Sequence, residues 1–120
     1  MKPSRRAVAE RSGHRAETIA AVWLSLKGYR ILERRCRTVV GEIDIIAVRR
    51  RRLAFVEVKR RRARDEAAWS VTSRQQARIV RAAEHWLAHR PAFQAHDIGL
   101  DVVLVAPWKM PQHLRDTFRV

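Results

Sequence analysis

At 120 residues the chain is long enough for one core and too short for a second folded unit. Its 26 basic against 12 acidic residues give a net charge of +14, which makes a polyanion, nucleic acid first of all, the leading class of partner. A single cysteine, Cys36, excludes an internal disulfide and a cysteine-based zinc site and fits a reduced cytoplasm. The sequence shows no long apolar stretch, secretory signal or lipidation motif to support a membrane role.

Residues 1–12 are basic and without periodicity and read as a flexible arm, leaving residues 13–120 as one domain. A first helix is predicted from about His14 to Lys27, with Ile19, Val22, Trp23 and Leu26 at core spacing and Gly28 as its stop. Glu17 falls on a neighbouring stripe with Ala20, Ala21 and Leu24, whose small residues would bring the helix close to a sheet. Read alone, Glu17 is a favourable acid near a helix N-terminus. Tyr29 to Arg37 follows as a strand that includes Cys36.

Residues 41–60 read GEIDIIAVRRRRLAFVEVKR, two runs of β-branched and aromatic residues around the polar block Arg49–Arg52. A symmetric hairpin there makes paired positions sum to 101, placing Asp44 opposite Glu57 and Glu42 opposite Lys59. Two facing carboxylates in a partly dehydrated setting must share a proton or hold a cation. Oxygen ligands suit Mg²⁺ or Mn²⁺, and Lys59, on the same face as Glu57, could reach a water or a phosphoryl oxygen. The plainer alternative is a cross-strand ion pair on a solvated face. Large hydrophobes on both sides of the second run, Phe55 on one and Val56 and Val58 on the other, argue against it.

After a loop from Arg60 to Val71, Thr72-Ser-Arg-Gln75 is a capping box that opens a second helix from about Ser73 to His89, burying Ile79, Val80, Ala83, Trp86 and Leu87. Gln76 on that stripe either caps a buried backbone group or contacts substrate. Ile98 to Ala106 is a fourth, near-central strand, and the tail from Trp108 packs or pairs weakly. The five histidines read as surface helix residues, and the large residues Trp23, Trp69 and Trp108 as core in preference to interface. Arg49, Arg50, Arg51 and Arg52 at the hairpin tip, and Arg60, Arg61, Arg62 and Arg64 after Lys59, would flank a phosphate backbone across the site. For any one of the 22 arginines left after the four lysines, a solvated surface is the simpler account.

The string GEID, a hairpin and FVEVK resembles the core of the PD-(D/E)xK superfamily, with its restriction-endonuclease-like, Holliday-junction-resolvase-like fold. With Gly13, Glu17, Gly28-Tyr29, Arg37, GEIDIIA, Val71-Thr72 and HLRDTF, nearly the whole chain is similar to the YraN-like family of small bacterial proteins, described as predicted endonucleases. The resemblance implies an α/β fold with a mixed sheet of about four strands flanked by helices. It further implies Glu17, Asp44 and Glu57 as metal-binding acids, Lys59 as catalytic lysine, and Mg²⁺-dependent cutting of DNA, more than RNA, with branched DNA preferred by analogy. Arg37 and Gln76 join the arginine clusters as candidate nucleic-acid contacts. Arg35 departs from the family's usual Asn, Gln75 from its frequent Lys and Gly99 from its common Arg. The rival from another class is a protein that binds nucleic acid without cutting it, as an accessory to recombination, repair or RNA handling. Resolvase-like domains often pair to reach two strands, which admits a homodimer.

Overall fold

The computed structural model describes residues 5–61 and 71–118, with side chains from residue 14 onward. In chain order it contains α1 (Arg5–Leu26), β1 (Arg30–Thr38), β2 (Gly41–Arg49), β3 (Arg52–Arg60), α2 (Ser73–Ala88), a short 3₁₀ turn (Pro91–Phe93), β4 (Asp97–Val105) and β5 (Gln112–Leu114). The strands form one mixed sheet in the order β1-β2-β3-β4-β5. β1 to β3 are an antiparallel meander, β3 and β4 run parallel with α2 in the crossover, and β5 returns antiparallel on β4. This is the expected α/β architecture with one strand more, because the tail contributes β5 and seals Phe118 into the core.

The two helices cover opposite faces. α2 buries Ile79, Ala82, Ala83 and Trp86 on Ile46, Leu53, Phe55 and Val102, with Trp86 edge-on to Phe55 at 5.7 Å between centroids. The anticipated capping box starts it: Thr72 Oγ1 accepts from Gln75 N–H at 3.1 Å, and Gln75 Oε1 from Thr72 N–H at 3.0 Å. α1 buries Ala16, Ala20, Ala21 and Leu24 on Ile45, Ala47, Ala54 and Val56. That corrects the face expected of this helix, since Ile19, Val22 and Leu26 are 46, 54 and 76% exposed. Alanine meets alanine across this contact, so the helix axis comes closer to the sheet than a row of larger side chains would permit, and Glu17 is carried in with it.

α1 also begins at Arg5, inside the segment expected to be an arm; residues 1–4 lie outside the described residues. Ala7, Ala9 and Glu10 are strong helix formers, which outweighs the absence of an apolar stripe. The helix ends as expected at Gly28, whose φ of +94° allows Tyr29 N–H to reach back to Leu24 O at 3.0 Å.

The hairpin register is the anticipated one, Ile45 opposite Val56 through Arg49 opposite Arg52, with Arg50 and Arg51 as a two-residue turn. Arg50 sits at φ +55°, a conformation that disfavours a side chain bearing Cβ. Arg50→Gly is therefore expected to raise stability by roughly 0.5–1 kcal/mol, read as a higher urea midpoint at unchanged slope.

Candidate active site

β2 and β3 part company at Asp44. Their paired positions run only to Ile45 and Val56, because the Asp44 carboxylate itself accepts the Val58 N–H at 2.8 Å in place of a ladder bond. Side-chain alternation slips at the same place: Ile43 and Ile46 both pack in the α2 layer while Ile45 packs in the α1 layer. On the neighbouring strand, Arg34 and Arg35 both reach α1, and Cys36 packs toward α2. Arg35 has φ +50°, which turns its side chain onto the same face as that of Arg34.

Asp44, Glu57 and Lys59 gather where the strands part, with Glu17 of α1 near enough to sense the charge of Asp44. The Asp44 and Glu57 carboxyls lie close enough for each to act on the other's ionisation. Lys59 Nζ lies 3.7 Å from Glu57 Oε1. Glu17 is 6% exposed and feels the charge of Asp44. Burial pushes the Glu57 carboxyl up to about 8, the negative charge of Asp44 adds to the rise, and Lys59 opposes it. Burial likewise raises Asp44, against the lowering effect of the Val58 N–H. Glu17 is raised by burial and then by Asp44, with Arg35 pulling the other way.

The expected pairing of Glu42 with Lys59 does not form. Since the ladder stops at Ile45, Glu42 stays on the β1 side opposite Arg37, with 3.9 Å between charged atoms, and Lys59 turns to Glu57. Asp44 and Glu57 open on a pocket of ≈ 250 Å³ whose far wall is Gln75 and Arg78 of α2. Arg78 was not singled out by its sequence pattern; its position one helical turn after Gln75 is the signal that could have found it.

The arginines separate into distinct groups. Arg60 and Arg61, with Arg15 of α1, line a groove of ≈ 470 Å³ at the end of β3 that holds Lys59. Arg49 to Arg52 lie at the other end of the hairpin, five residues and roughly 16 Å from Glu57, and with Lys27 and Gly28 line a separate cleft of ≈ 720 Å³. They do not flank the acids as expected, because a hairpin tip and a strand end are opposite ends of the sheet. Arg49 packs over the Tyr29 ring at 4.9 Å and donates to Lys27 O at 3.0 Å, and Arg51 donates to Ala95 O at 3.3 Å. Arg37 and Arg50 are exposed. Arg62, Arg64 and Trp69 lie outside the described residues. Gln76 Nε2 donates to Val71 O at 2.9 Å, the backbone-capping option of its two readings.

Arg52 corrects its assignment to nucleic-acid contact. It donates Nη1 and Nη2 to the two oxygens of Asp101, each at 2.7 Å, and Asp101 is 0% exposed. The other partners of Asp101 are His113 Nε2 at 2.7 Å and the Asp116 N–H at 2.9 Å, while Lys27 Nζ lies 2.7 Å from His113 Nδ1. Burial alone would raise Asp101, but these donors hold it down at about 2. A Cβ at residue 99 would collide with the Arg52 guanidinium, so Gly99 provides the slot it crosses. Reading His113 as a surface helix residue is overturned too: it lies on β5 with 1% of its side chain exposed. His96 lies in the loop before β4, and Trp108 is 103% exposed rather than core.

The model of the Uncharacterised protein family UPF0102 matches residues 16–105, three quarters of the chain, including every acid of the split and Lys59. The chain belongs to the UPF0102 family. A UPF0102 protein of Rhodopseudomonas palustris (strain HaA2) is 53% identical over 113 residues, covering 94% of this chain and 88% of that protein. One from Nitrobacter winogradskyi is 50% identical over 94% of this chain and 96% of its own length, and one from Parvibaculum lavamentivorans 48% identical over 98% and 88%. The YraN-like resemblance is thereby borne out at the level of this UPF0102 family.

Two features fit a small hard cation at the UPF0102 split: the donors are all carboxylate oxygens, and the buried Glu17 Oε2 has no well-formed hydrogen bond. Arg35 Nε lies 2.6 Å from that oxygen without an N–H aimed along the contact. Among the described residues no three acid, histidine or cysteine side chains already stand as a cation cage. No helix among them is long and apolar enough to cross a membrane.

The raised Glu57 carboxyl makes stability depend on pH. Between its unfolded value of 4.5 and its folded value of about 8, the native state holds a proton that the unfolded chain has lost. Its contribution is complete below pH 4.5 and is lost as pH rises through about 8. Glu57→Gln should abolish that slope and raise the stability at pH 8–9 in EDTA by on the order of 2 kcal/mol, measured by thermal melts from pH 5 to 9.

Proposed function

We propose that this chain is a Mg²⁺- or Mn²⁺-dependent endonuclease of the PD-(D/E)xK type that hydrolyses phosphodiester bonds in DNA, with branched or structured DNA as the substrate class. One observation carries the reading. The sheet is split at Asp44, leaving the Asp44 and Glu57 carboxyls together at an open pocket, with the Lys59 ammonium 3.7 Å from Glu57. A domain that only held DNA would gain nothing from buried acids that repel phosphate and destabilise the fold at neutral pH.

Glu17, Asp44 and Glu57 are the residues that would hold the ion. When bound, Mg²⁺ lowers the pKa of an attacking water and neutralises charge developing on the phosphoryl oxygens. The ammonium group of Lys59 positions that water and the phosphate oxygen facing it. Hydrolysis forms one bond from water oxygen to phosphorus and breaks the bond from phosphorus to the departing nucleotide oxygen. Arg15, Arg60 and Arg61 hold the backbone in the adjoining groove by fork-like contacts to phosphate, which makes affinity fall steeply with salt. A cytoplasmic location, where DNA and Mg²⁺ occur together, belongs to the same reading.

Labelled linear, flapped, four-way and single-stranded DNAs, together with RNA, incubated in Mg²⁺, Mn²⁺ or EDTA, test this directly. Scission that requires the ion and favours DNA is the expected result. Cleavage persisting in EDTA would expose a contaminant. Salt-sensitive binding that no ion converts to scission would make the protein a non-catalytic nucleic-acid binder.

A further inference from the structure

We infer that Arg35 is an internal counter-cation that holds Glu17 in the ion-free protein and competes with a divalent cation for it. The inference rests on the metal-site reading above and concerns how strongly and when that site is filled. Three observations carry it. The Arg35 guanidinium meets the Glu17 carboxylate at 2.6 Å, on the flank of Glu17 that faces β1. It does so at the expense of the backbone, since Arg35 is a non-glycine residue held at φ +50° inside a strand, and that twist is what directs its side chain toward α1. The contact is nevertheless single-pronged, made by one guanidinium nitrogen, Nε, on one buried oxygen, Oε2.

A structural ion pair of an always-charged guanidinium with a carboxylate is commonly a two-pronged, well-aligned fork. Here the Arg35 side chain is 37% exposed while that of Glu17 is 8% exposed, so the guanidinium can withdraw into water at little desolvation cost and the carboxylate cannot. Withdrawal would leave Glu17 as an uncompensated buried anion next to Asp44, which is the state a divalent cation stabilises. The same withdrawal frees a guanidinium at the edge of the site. A phosphate group that captures it would promote ion binding, so ion and nucleic acid should each tighten the other by the same factor.

Isothermal titration of Mg²⁺ into the full chain tests this without a cleavage assay. The proteins compared are wild type, Arg35→Asn, Arg35→Lys, Glu17→Gln and the Arg35→Asn/Glu17→Gln double variant, with Asp44→Asn as the control for the site. Asn is neutral and tolerates positive φ, so the first variant removes the charge without adding strain. It should bind Mg²⁺ on the order of tenfold more tightly than wild type, whereas Arg35→Lys should stay close to wild type. In the Glu17→Gln background the Arg35→Asn change should have no effect on affinity. Melting curves in EDTA establish that each variant is folded.

Unchanged Mg²⁺ affinity in Arg35→Asn, or an equal gain with and without Glu17, overturns the role of Arg35 while leaving the metal site intact. Heat signals that survive Asp44→Asn unaltered, or no saturable binding in wild type and Arg35→Asn alike, overturn the metal-site reading and this inference with it. Saturable binding in Arg35→Asn alone would be its strongest support.

Discussion

Lys59→Ala is expected to slow Mg²⁺-dependent scission by about 10²–10⁴-fold, the usual contribution of a group that positions or activates the attacking water. Asp44→Asn should be at least as damaging, through loss of the ion. The two variants have opposite secondary effects, and these distinguish a catalytic site from a structural one. Asn at 44 can still accept the Val58 N–H through its amide oxygen, so the 2.8 Å bond that closes the split survives. Removing one of two contacting buried acids relieves their repulsion, so Asp44→Asn should melt higher than wild type at pH 8 while cutting nothing. An acid kept for stability would behave in the opposite way, losing melting temperature with little change in function. Lys59→Ala should bind DNA slightly more weakly and Asp44→Asn slightly more strongly, because one loses a positive and the other a negative charge. The measurements are single-turnover cleavage of a labelled duplex, melts at pH 8 in EDTA, and fluorescence anisotropy in EDTA. Retention of full cleavage by both variants would remove the proposed site.

The second large effect lies across the sheet from solvent. Asp101→Ala should destabilise the protein by about 3–5 kcal/mol, because Arg52 is then left as a largely buried charge without its two 2.7 Å partners. For a chain of this size the melting temperature should fall by on the order of 10–20 °C. Arg52→Met should cost less, since His113 and the Asp116 N–H still hold the Asp101 carboxylate. The double replacement Arg52→Met/Asp101→Leu should be far milder than the sum, since no orphaned charge then remains between them. Asp101, held at about 2, also predicts the acid limb: its contribution is present above the unfolded value of 3.8 and is lost as pH falls through about 2. Additive losses in the double variant would show that Arg52 and Asp101 do not act as a pair.

Local rules carried much of the fold. The Thr72–Gln75 capping box, the Gly28 stop and the hairpin register all depend on contacts within a few residues, so spacing alone locates them. The buried face of α1 departs from its hydrophobic pattern for an equally physical reason. Ile19, Val22, Trp23 and Leu26 are the more hydrophobic stripe, but Ala47 and Ala54 on the sheet select the alanine stripe by shape, and shape complementarity across a sheet is not written in one helix. His113 was misread because its identity as a partner of Asp101 depends on β5 returning beside β4, a contact between segments with no shared periodicity. Arg52 was grouped with its sequence neighbours at the hairpin tip; only the strand order turns it inward.

What the amino-acid order determined by itself is the hairpin from its turn to the Ile45–Val56 pair, which brings the flanking Asp44 and Glu57 to the same end of the sheet. The tertiary structure decided how that cluster is kept: the parting of β2 from β3 at Asp44, the burial that raises the Glu57 carboxyl, and Arg35 on Glu17. Those depend on how closely α1 can settle on the sheet and on a single residue of β1 twisted to φ +50°, and both are set by contacts between segments far apart along the chain.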